Sequence, residues 1–281
     1  MTATGMDVTD AFNCLKLQGI MMRPIVQIYE IQTPQEVQSM VSLGVDHVGS
    51  VITSADERHD PLLRETVALV RRSGVTSSLI PLYSDAAVVM DTLAFMRPDI
   101  VHFCERLDSA GNMEELAAAI RLQATVRQRF PDIRIMRSIP IGEREIDGGD
   151  AVLAMARRLE ASCDFFLTDT VIGDPRQRTD ADQPVSGFVG ITGRTCDWSV
   201  AARLVGASRI PVILAGGITP ENVAEGIRRV RPAGVDSCTG TNAVDAAGNP
   251  VRFRKDPQRV ATLIAEARRA AEPLAASVRR P

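Results

Sequence analysis

Lysine is almost missing from this sequence: of 32 basic residues only Lys16 and Lys255 are lysines, and the other thirty are arginines. Imine chemistry therefore has very few amines to use, and neither lysine falls at the end of a strand assigned below. Aromatic residues make up only 4% of the chain, so Leu, Val, Ile, Ala and Met must build the core. A basic excess is also missing. The 32 Lys and Arg face 35 Asp and Glu, for a net charge of −3, which argues against a nucleic-acid partner. There is no apolar run of 18 or more residues and hence no membrane-spanning segment. The first residues carry Asp7 and Asp10 and lack the basic-then-apolar order of a signal peptide. The five cysteines, Cys14, Cys104, Cys163, Cys196 and Cys238, are scattered and form no CxxC pair. That pattern suits reduced thiols in a cytoplasm, most of them small buried hydrophobes. Only three histidines occur, His47, His59 and His102, without close ligand spacing, so no metal site is expected.

Beyond residue 23 the chain alternates short β-branched runs with longer amphipathic stretches. The expected strands are Ile25–Tyr29, Asp46–Ile52, Thr76–Leu82, Ile100–Phe103, Ile133–Ile139, Asp164–Thr168, Ile210–Ala215 and Val235–Cys238. Helices are expected over Pro34–Leu43 after an N-cap at Thr33, and over Pro61–Ser73 closed by Gly74. Others run from about Asp85 to Met96, Asn112 to Phe130 and Asp150 to Ala161, and onward from Asp197. Two more run from Pro220 to Val230 after a cap at Thr219, and onward from Pro257. Eight βα units of roughly 32 residues each predict a single (β/α)8 TIM barrel over 24–281, preceded by an extension over 1–23. The rival is a doubly wound open sheet, but the GxGxxG expected after its first strand is absent: that strand runs into Tyr29-Glu30-Ile31.

In such a barrel the chemistry sits at the C-terminal ends of the strands. Three consecutive strands end in glycine- and threonine-rich segments: Thr192-Gly193 within 190–195, Gly216-Gly217 after strand seven, and Thr239-Gly240 after strand eight. One such loop would read as a turn. Three together read as a phosphate cradle, where backbone N–H groups approach an oxyanion. Asp169 ends strand six after the apolar Phe165-Phe166-Leu167, a place where a carboxyl can have a raised pKa and act as acid or base. Tyr29 and Glu30 end strand one, and alternation lets only one of them reach a substrate. Tyrosine is a poor base at neutral pH and glutamate a better one. Arg58 and Arg137 are candidate anion holders, with Arg137 equally suited to a structural pair with Asp169 or Glu105. His102 ends strand four as a further candidate contact.

Several of these segments resemble the phosphoribosylanthranilate isomerase family of tryptophan biosynthesis. The closest is the run 211–223, PVILAGGITPENV, continued by Arg231–Asp236. The segment 190–198, GITGRTCDW, is similar to the family's GGTGKTFDW loop, and Leu167-Thr168-Asp169 to its LLD. The resemblance implies that Asp169 is the general acid of an Amadori rearrangement. It also implies that Arg58 faces the carboxylate of the anthranilate and that no cofactor is needed. The departures lie elsewhere. The family's first strand ends KICG, with the cysteine as base, and here the place reads Gln27-Ile28-Tyr29-Glu30. Its QLHG reads His102-Phe103-Cys104-Glu105, and its SGVE reads Thr239-Gly240-Thr241-Asn242. The expectation is an isomerase of a phosphorylated sugar or sugar-amine, acting as a cytoplasmic monomer or homodimer, with Asp169 partnered by Tyr29 or Glu30. The alternatives are a sugar-phosphate epimerase, aldolase or lyase on the same barrel, and a non-catalytic barrel that binds a phosphorylated ligand.

Overall fold

The computed structural model describes residues 23–107, 112–145, 147–172, 187–190 and 192–277. Eight parallel strands close into a barrel in chain order: β1 (Ile25–Ile28), β2 (His47–Ile52), β3 (Thr76–Pro81), β4 (Ile100–Phe103), β5 (Arg134–Gly142), β6 (Phe165–Val171), β7 (Val212–Leu214) and β8 (Gly234–Ser237). Closure is made by β1 against β8, from Ile25 opposite Gly234 to Ile28 opposite Ser237. Helices follow each strand: α1 (Pro34–Leu43), α2 (Pro61–Arg72), α3 (Ala86–Met96), α4 (Met113–Arg129), α5 (Asp150–Leu159), α6 (Trp198–Ala207), α7 (Val223–Val230) and α8 (Pro257–Ser277). The fold is a (β/α)8 TIM barrel, as the pattern predicts.

Local chemistry explains the boundaries. Thr33 and Glu36 form a capping box, Pro34 sits in the first turn of α1, and Gly44 takes the left-handed conformation that stops it. α7 begins three residues later than the sequence pattern suggests. Asn222 accepts from Thr219 N–H at 2.9 Å and donates to Gly217 C=O at 2.8 Å, which turns 219–222 into a clamp on the loop after β7. A two-stranded hairpin, β9 (Asn242–Val244) with β10 (Pro250–Lys255), was not expected. Of the N-terminal extension only Arg23 is among the described residues; its guanidinium pairs with Asp46 at 2.5 Å.

Strand alternation sorts the side chains into two shells. Val26, Ile28, Phe166 and Val235 face outward into the layer beneath the helices. Tyr29, Val51, Ile100, Met136, Phe165, Leu167, Ile213 and Ala215 pack inside the barrel. The barrel axis also holds buried polar groups, notably Gln27, His47, Ser78, His102, Ser138 and Asp236. Among the described residues no helix is long and apolar enough to cross a membrane. None of their His, Cys, Asp and Glu side chains form a group of three or more placed to hold a metal.

Candidate active site

A cavity opens at the C-terminal ends of the strands, with an empty volume of about 800 Å³ including its mouth. It brings together Tyr29, Glu30, His102, Asp169, Thr192, Gly193, Gly216, Gly217, Thr239 and Gly240, ten of the twelve residues expected from the sequence. The glycines there are required by close approach of three loops. A Cβ on Gly217 would meet the Arg194 carbonyl carbon at 2.5 Å, and one on Gly240 would meet Ile218 O at 2.2 Å. Loops six, seven and eight thus stack on bare backbone, and backbone forms one end of the cavity.

Asp169 points inward from β6, on the same face as Phe165 and Leu167. Burial pushes its pKa up to about 7, against the pull of one hydrogen bond from its own neighbour, Thr170 N–H, at 2.9 Å. Gly190 lies over this carboxyl so closely that a Cβ would fall 2.3 Å from Oδ2. A second carboxyl, Asp236, faces the same cavity from β8. Burial is the main cause that raises it, also to about 7. The Asp169 charge adds to this, while the Gln27 hydrogen bond at 3.1 Å and the Lys255 charge oppose it. Gln27 in turn meets His47 Nδ1 at 3.1 Å. Asp236 was missed as a site residue. The signal was available: β8 reads Gly234-Val235-Asp236-Ser237, and a period of two sets its acid opposite the outward Val235.

Tyr29 occupies the floor, buried and inward. Its hydroxyl lies 2.6 Å from Ser78 Oγ and 2.8 Å from His102 Nδ1, and His102 Nε2 lies 2.9 Å from Ser138 Oγ. Burial lifts the Tyr29 pKa far above its ordinary value, with help from the Asp236 charge, so it is no base. Burial likewise lowers His102 to about 3, which leaves a neutral ring. The tyrosine ring fits because β2 carries Gly49; a Cβ there would stand 2.1 Å from Tyr29 Cδ1. Cys104 and Cys238 also line the cavity, but burial pushes both thiols up, so neither supplies a thiolate.

Glu30 reaches the cavity wall with its carboxylate already engaged. Arg252 Nε donates to it at 2.8 Å, Phe253 N–H at 3.2 Å, and Lys255 Nζ lies 3.7 Å away. Burial would raise this carboxyl, but Lys255, the Phe253 N–H and Arg252 together hold it below the usual glutamate range. Its backbone sits at φ 62, in the left-handed region that favours glycine. Lys255, read from the sequence as lying away from any strand end, folds back through β10. Its Nζ contacts Cys238 O at 2.9 Å and Asn242 Oδ1 at 2.5 Å.

Two expected anion holders lie outside the cavity lining. Arg58 follows a 3₁₀ turn, where its Nε pairs with Asp91 at 2.9 Å and its NH1 donates to Ala55 O. Arg137 shares the outward face of β5 with Ile135, Ile139 and Ile141, and is fully buried against Glu105 at 2.5 Å. Alternation, one residue from the inward Met136 and Ser138, turned it away from the mouth. Of its two sequence readings the structural one, a pair with Glu105, is what forms.

A family model described as N-(5'phosphoribosyl)anthranilate (PRA) isomerase matches residues 150–244. The N-(5'-phosphoribosyl)anthranilate isomerase of Haloferax volcanii is 33% identical over 177 residues, which covers 63% of this chain and 70% of that protein. The chain belongs to the phosphoribosylanthranilate isomerase family. The family member of Methanocella arvoryzae is 29% identical over 78% of this chain and 89% of its own length. The solved isomerase of Pyrococcus furiosus shares the fold, with a TM-score of 0.59 at 20% identity over 88% of this chain and 99% of that one. The segment matched by the family model contains Asp169, the three glycine loops and Asp236, whereas Tyr29 and Glu30 precede it.

Proposed function

We propose that this protein is an acid/base isomerase of the phosphoribosylanthranilate isomerase type, converting a phosphorylated aldosylamine into the corresponding aminoketose. The observation that carries this reading is the pair of carboxyls, Asp169 and Asp236, both raised to about 7 and both facing one cavity. A related structure is described as a complex with reduced 1-(o-carboxyphenylamino)-1-deoxyribulose 5-phosphate, which supports a ligand of this general shape. The sugar phosphate lies against Thr192, Gly193, Gly216, Gly217, Thr239 and Gly240, where backbone can approach its oxyanion.

Two coupled carboxyls near neutrality tend to share one proton, giving one acid and one base at working pH. Asp169 is the acid: it protonates the ring oxygen of the aldosylamine, the C1–O bond breaks, and an open-chain iminium forms. Asp236 is the base: held by Gln27 and near the Lys255 charge, it keeps its own charge and removes the C2 proton. The electrons pass to the iminium as an enolamine, and the ketose is completed when C1 takes a proton back and the C2 hydroxyl gives one up, which restores both carboxyls. No atom is lost. The carboxylates around the cavity favour the cationic iminium over the neutral ground state. Tyr29 and His102 position the sugar, and Glu30 braces the wall. We place the enzyme in the cytoplasm, as a monomer or homodimer, where its four described free cysteines stay reduced.

The test is turnover of N-(5-phosphoribosyl)arylamines, with and without an ortho-carboxylate. Asp169→Asn and Asp236→Asn each lower kcat/KM by about 10²–10⁴-fold. The wild-type profile is a bell centred near pH 7, because one carboxyl must carry a proton while the other lacks it. A complete lack of turnover, with ligand affinity unchanged in Asp169→Asn, identifies a binding barrel instead.

A further inference from the structure

Ser78, Tyr29, His102 and Ser138 form a chain of polar side chains across the barrel, each of them buried. Ser78 Oγ meets the Tyr29 hydroxyl, that hydroxyl meets His102 Nδ1, and His102 Nε2 meets Ser138 Oγ. Among the described residues, none of the four side chains makes another hydrogen bond.

Each hydroxyl carries one hydrogen and the neutral imidazole one, so four hydrogens serve three contacts. One hydrogen is left over, and it has three possible places. It sits on Ser78 when Tyr29 donates to Ser78 and accepts from Nδ1–H. It sits on Ser138 when Tyr29 donates to Nδ1 and Nε2–H donates to Ser138. It sits on Tyr29 when the phenol oxygen accepts from both Ser78 and Nδ1–H. On either serine it finds no acceptor among the described residues, and neither serine lines the cavity. A buried donor left unmade is costly. Tyr29 does line the cavity, where a ligand oxygen can accept from it.

We infer that Tyr29 is a further catalytic donor: its hydroxyl points its hydrogen into the cavity and bonds the C2 oxygen of the sugar, and His102, as the Nδ1–H tautomer, is the positioning residue that fixes this direction. This rests on the isomerase reading above, in which Asp236 takes the proton from C2. Asp236 faces the same cavity and its charge bears on the Tyr29 hydroxyl, which sets C2 and the phenol on one side of the site. The bond serves the later half of the reaction. The C2 oxygen begins as a hydroxyl, which donates or accepts, and ends as a carbonyl, which only accepts. As the enol gives up its hydroxyl proton, negative charge gathers on that oxygen, and a donor already aimed at it lowers the barrier. Burial holds the phenol proton too tightly for transfer, so Tyr29 contributes a hydrogen bond and moves no proton.

Nuclear magnetic resonance of the full-length protein tests this, helped by a chain with only two tyrosines and three histidines. With nitrogen-15 histidine, and His102→Asn to identify its signals, His102 is expected to carry its proton on Nδ1. The Nε2–H tautomer overturns the inference, because the Tyr29 hydrogen then points at the ring. Tyrosine labelled with carbon-13 at Cζ is assigned with Tyr83→Phe. It is followed at saturation with reduced 1-(o-carboxyphenylamino)-1-deoxyribulose 5-phosphate and with its 2-deoxy counterpart. The Tyr29 signal is expected to shift with the first and to stay in place with the second. The same response to both overturns the C2 contact. Kinetics on N-(5-phosphoribosyl)arylamines gives a second readout. Tyr29→Phe is expected to lower kcat about tenfold and to leave KM nearly unchanged, the mark of a bond made in the transition state. His102→Ala is expected to match that loss alone and to add nothing in the Tyr29→Phe background. His102→Asn, which keeps an N–H near the place of Nδ1, restores most of it. An unchanged kcat in Tyr29→Phe, or losses that multiply in the double variant, overturns the inference and leaves the isomerase reading intact. A wild type that neither binds the analogue nor turns over any arylamine overturns the isomerase reading, and the inference with it.

Discussion

Glu30 is held in left-handed backbone that costs a side-chain-bearing residue about 1–2 kcal/mol. The ion pairs with Arg252 and Lys255 keep it there. Glu30→Ala keeps the strain and loses the pairs, so its destabilisation is expected to be about 3 kcal/mol, as for breaking a buried ion pair. Glu30→Gly loses the same pairs but relaxes the backbone, and is expected to be about 1 kcal/mol milder. Urea unfolding of the two variants measures the difference. The sequence shows a glutamate where the family has glycine, and its acidity invites a catalytic reading. Its function is decided by residues 222 positions away, which no local pattern connects to it.

At the scale of the element, β1 and β2 act as one unit, because the hollow at Gly49 receives the Tyr29 ring. Gly49→Ala forces that ring to shift. It is expected to break the Ser78 and His102 contacts, to cost about 1–3 kcal/mol, and to lower turnover more than Tyr29→Phe, which keeps the ring in place. Thermal melts and steady-state kinetics of both variants check this. Elements with strong local chemistry were legible: the capped α1 and α2 and all eight barrel strands appear where periodicity sets them. The start of α7 was not, because Asn222 binds Gly217 and Thr219 across a turn instead of capping a helix. Nor was the β9–β10 hairpin, whose strands bury only Asn242 and owe their place to Glu30 and Asp245 contacts. The glycine cradle and Asp169 could be read because a loop or strand end announces its own position. Arg58 could not, since its direction is set by Asp91, 33 residues away; Arg137 could have been, because a period of two puts it on the outward face with Ile135 and Ile139.

For the whole molecule, the two classes of buried acid oppose each other in pH. Asp169 and Asp236 have raised folded-state values, so their contribution is full below the ordinary aspartate range and is lost as pH rises through about 7. Glu30 is lowered, so its contribution is present above the ordinary glutamate range and is lost as pH falls through its folded value. Stability is therefore expected to peak near about pH 4–5 and to decline on the alkaline side of that, up to about pH 7. Asp236→Asn removes part of the alkaline decline, raising stability at pH 8 by about 1–3 kcal/mol and changing little at pH 4. Melting curves across this range, read beside the activity loss of the same variant, separate the role proposed for this carboxyl in turnover from the stability it forfeits. The clasp between Glu30 and β10 also sets an order of events during synthesis. The end of β1 leaves the ribosome 222 positions ahead of Arg252, so its acid has no partner until residues 252–255 emerge, and the mouth of the barrel is completed only after all eight barrel strands have been made.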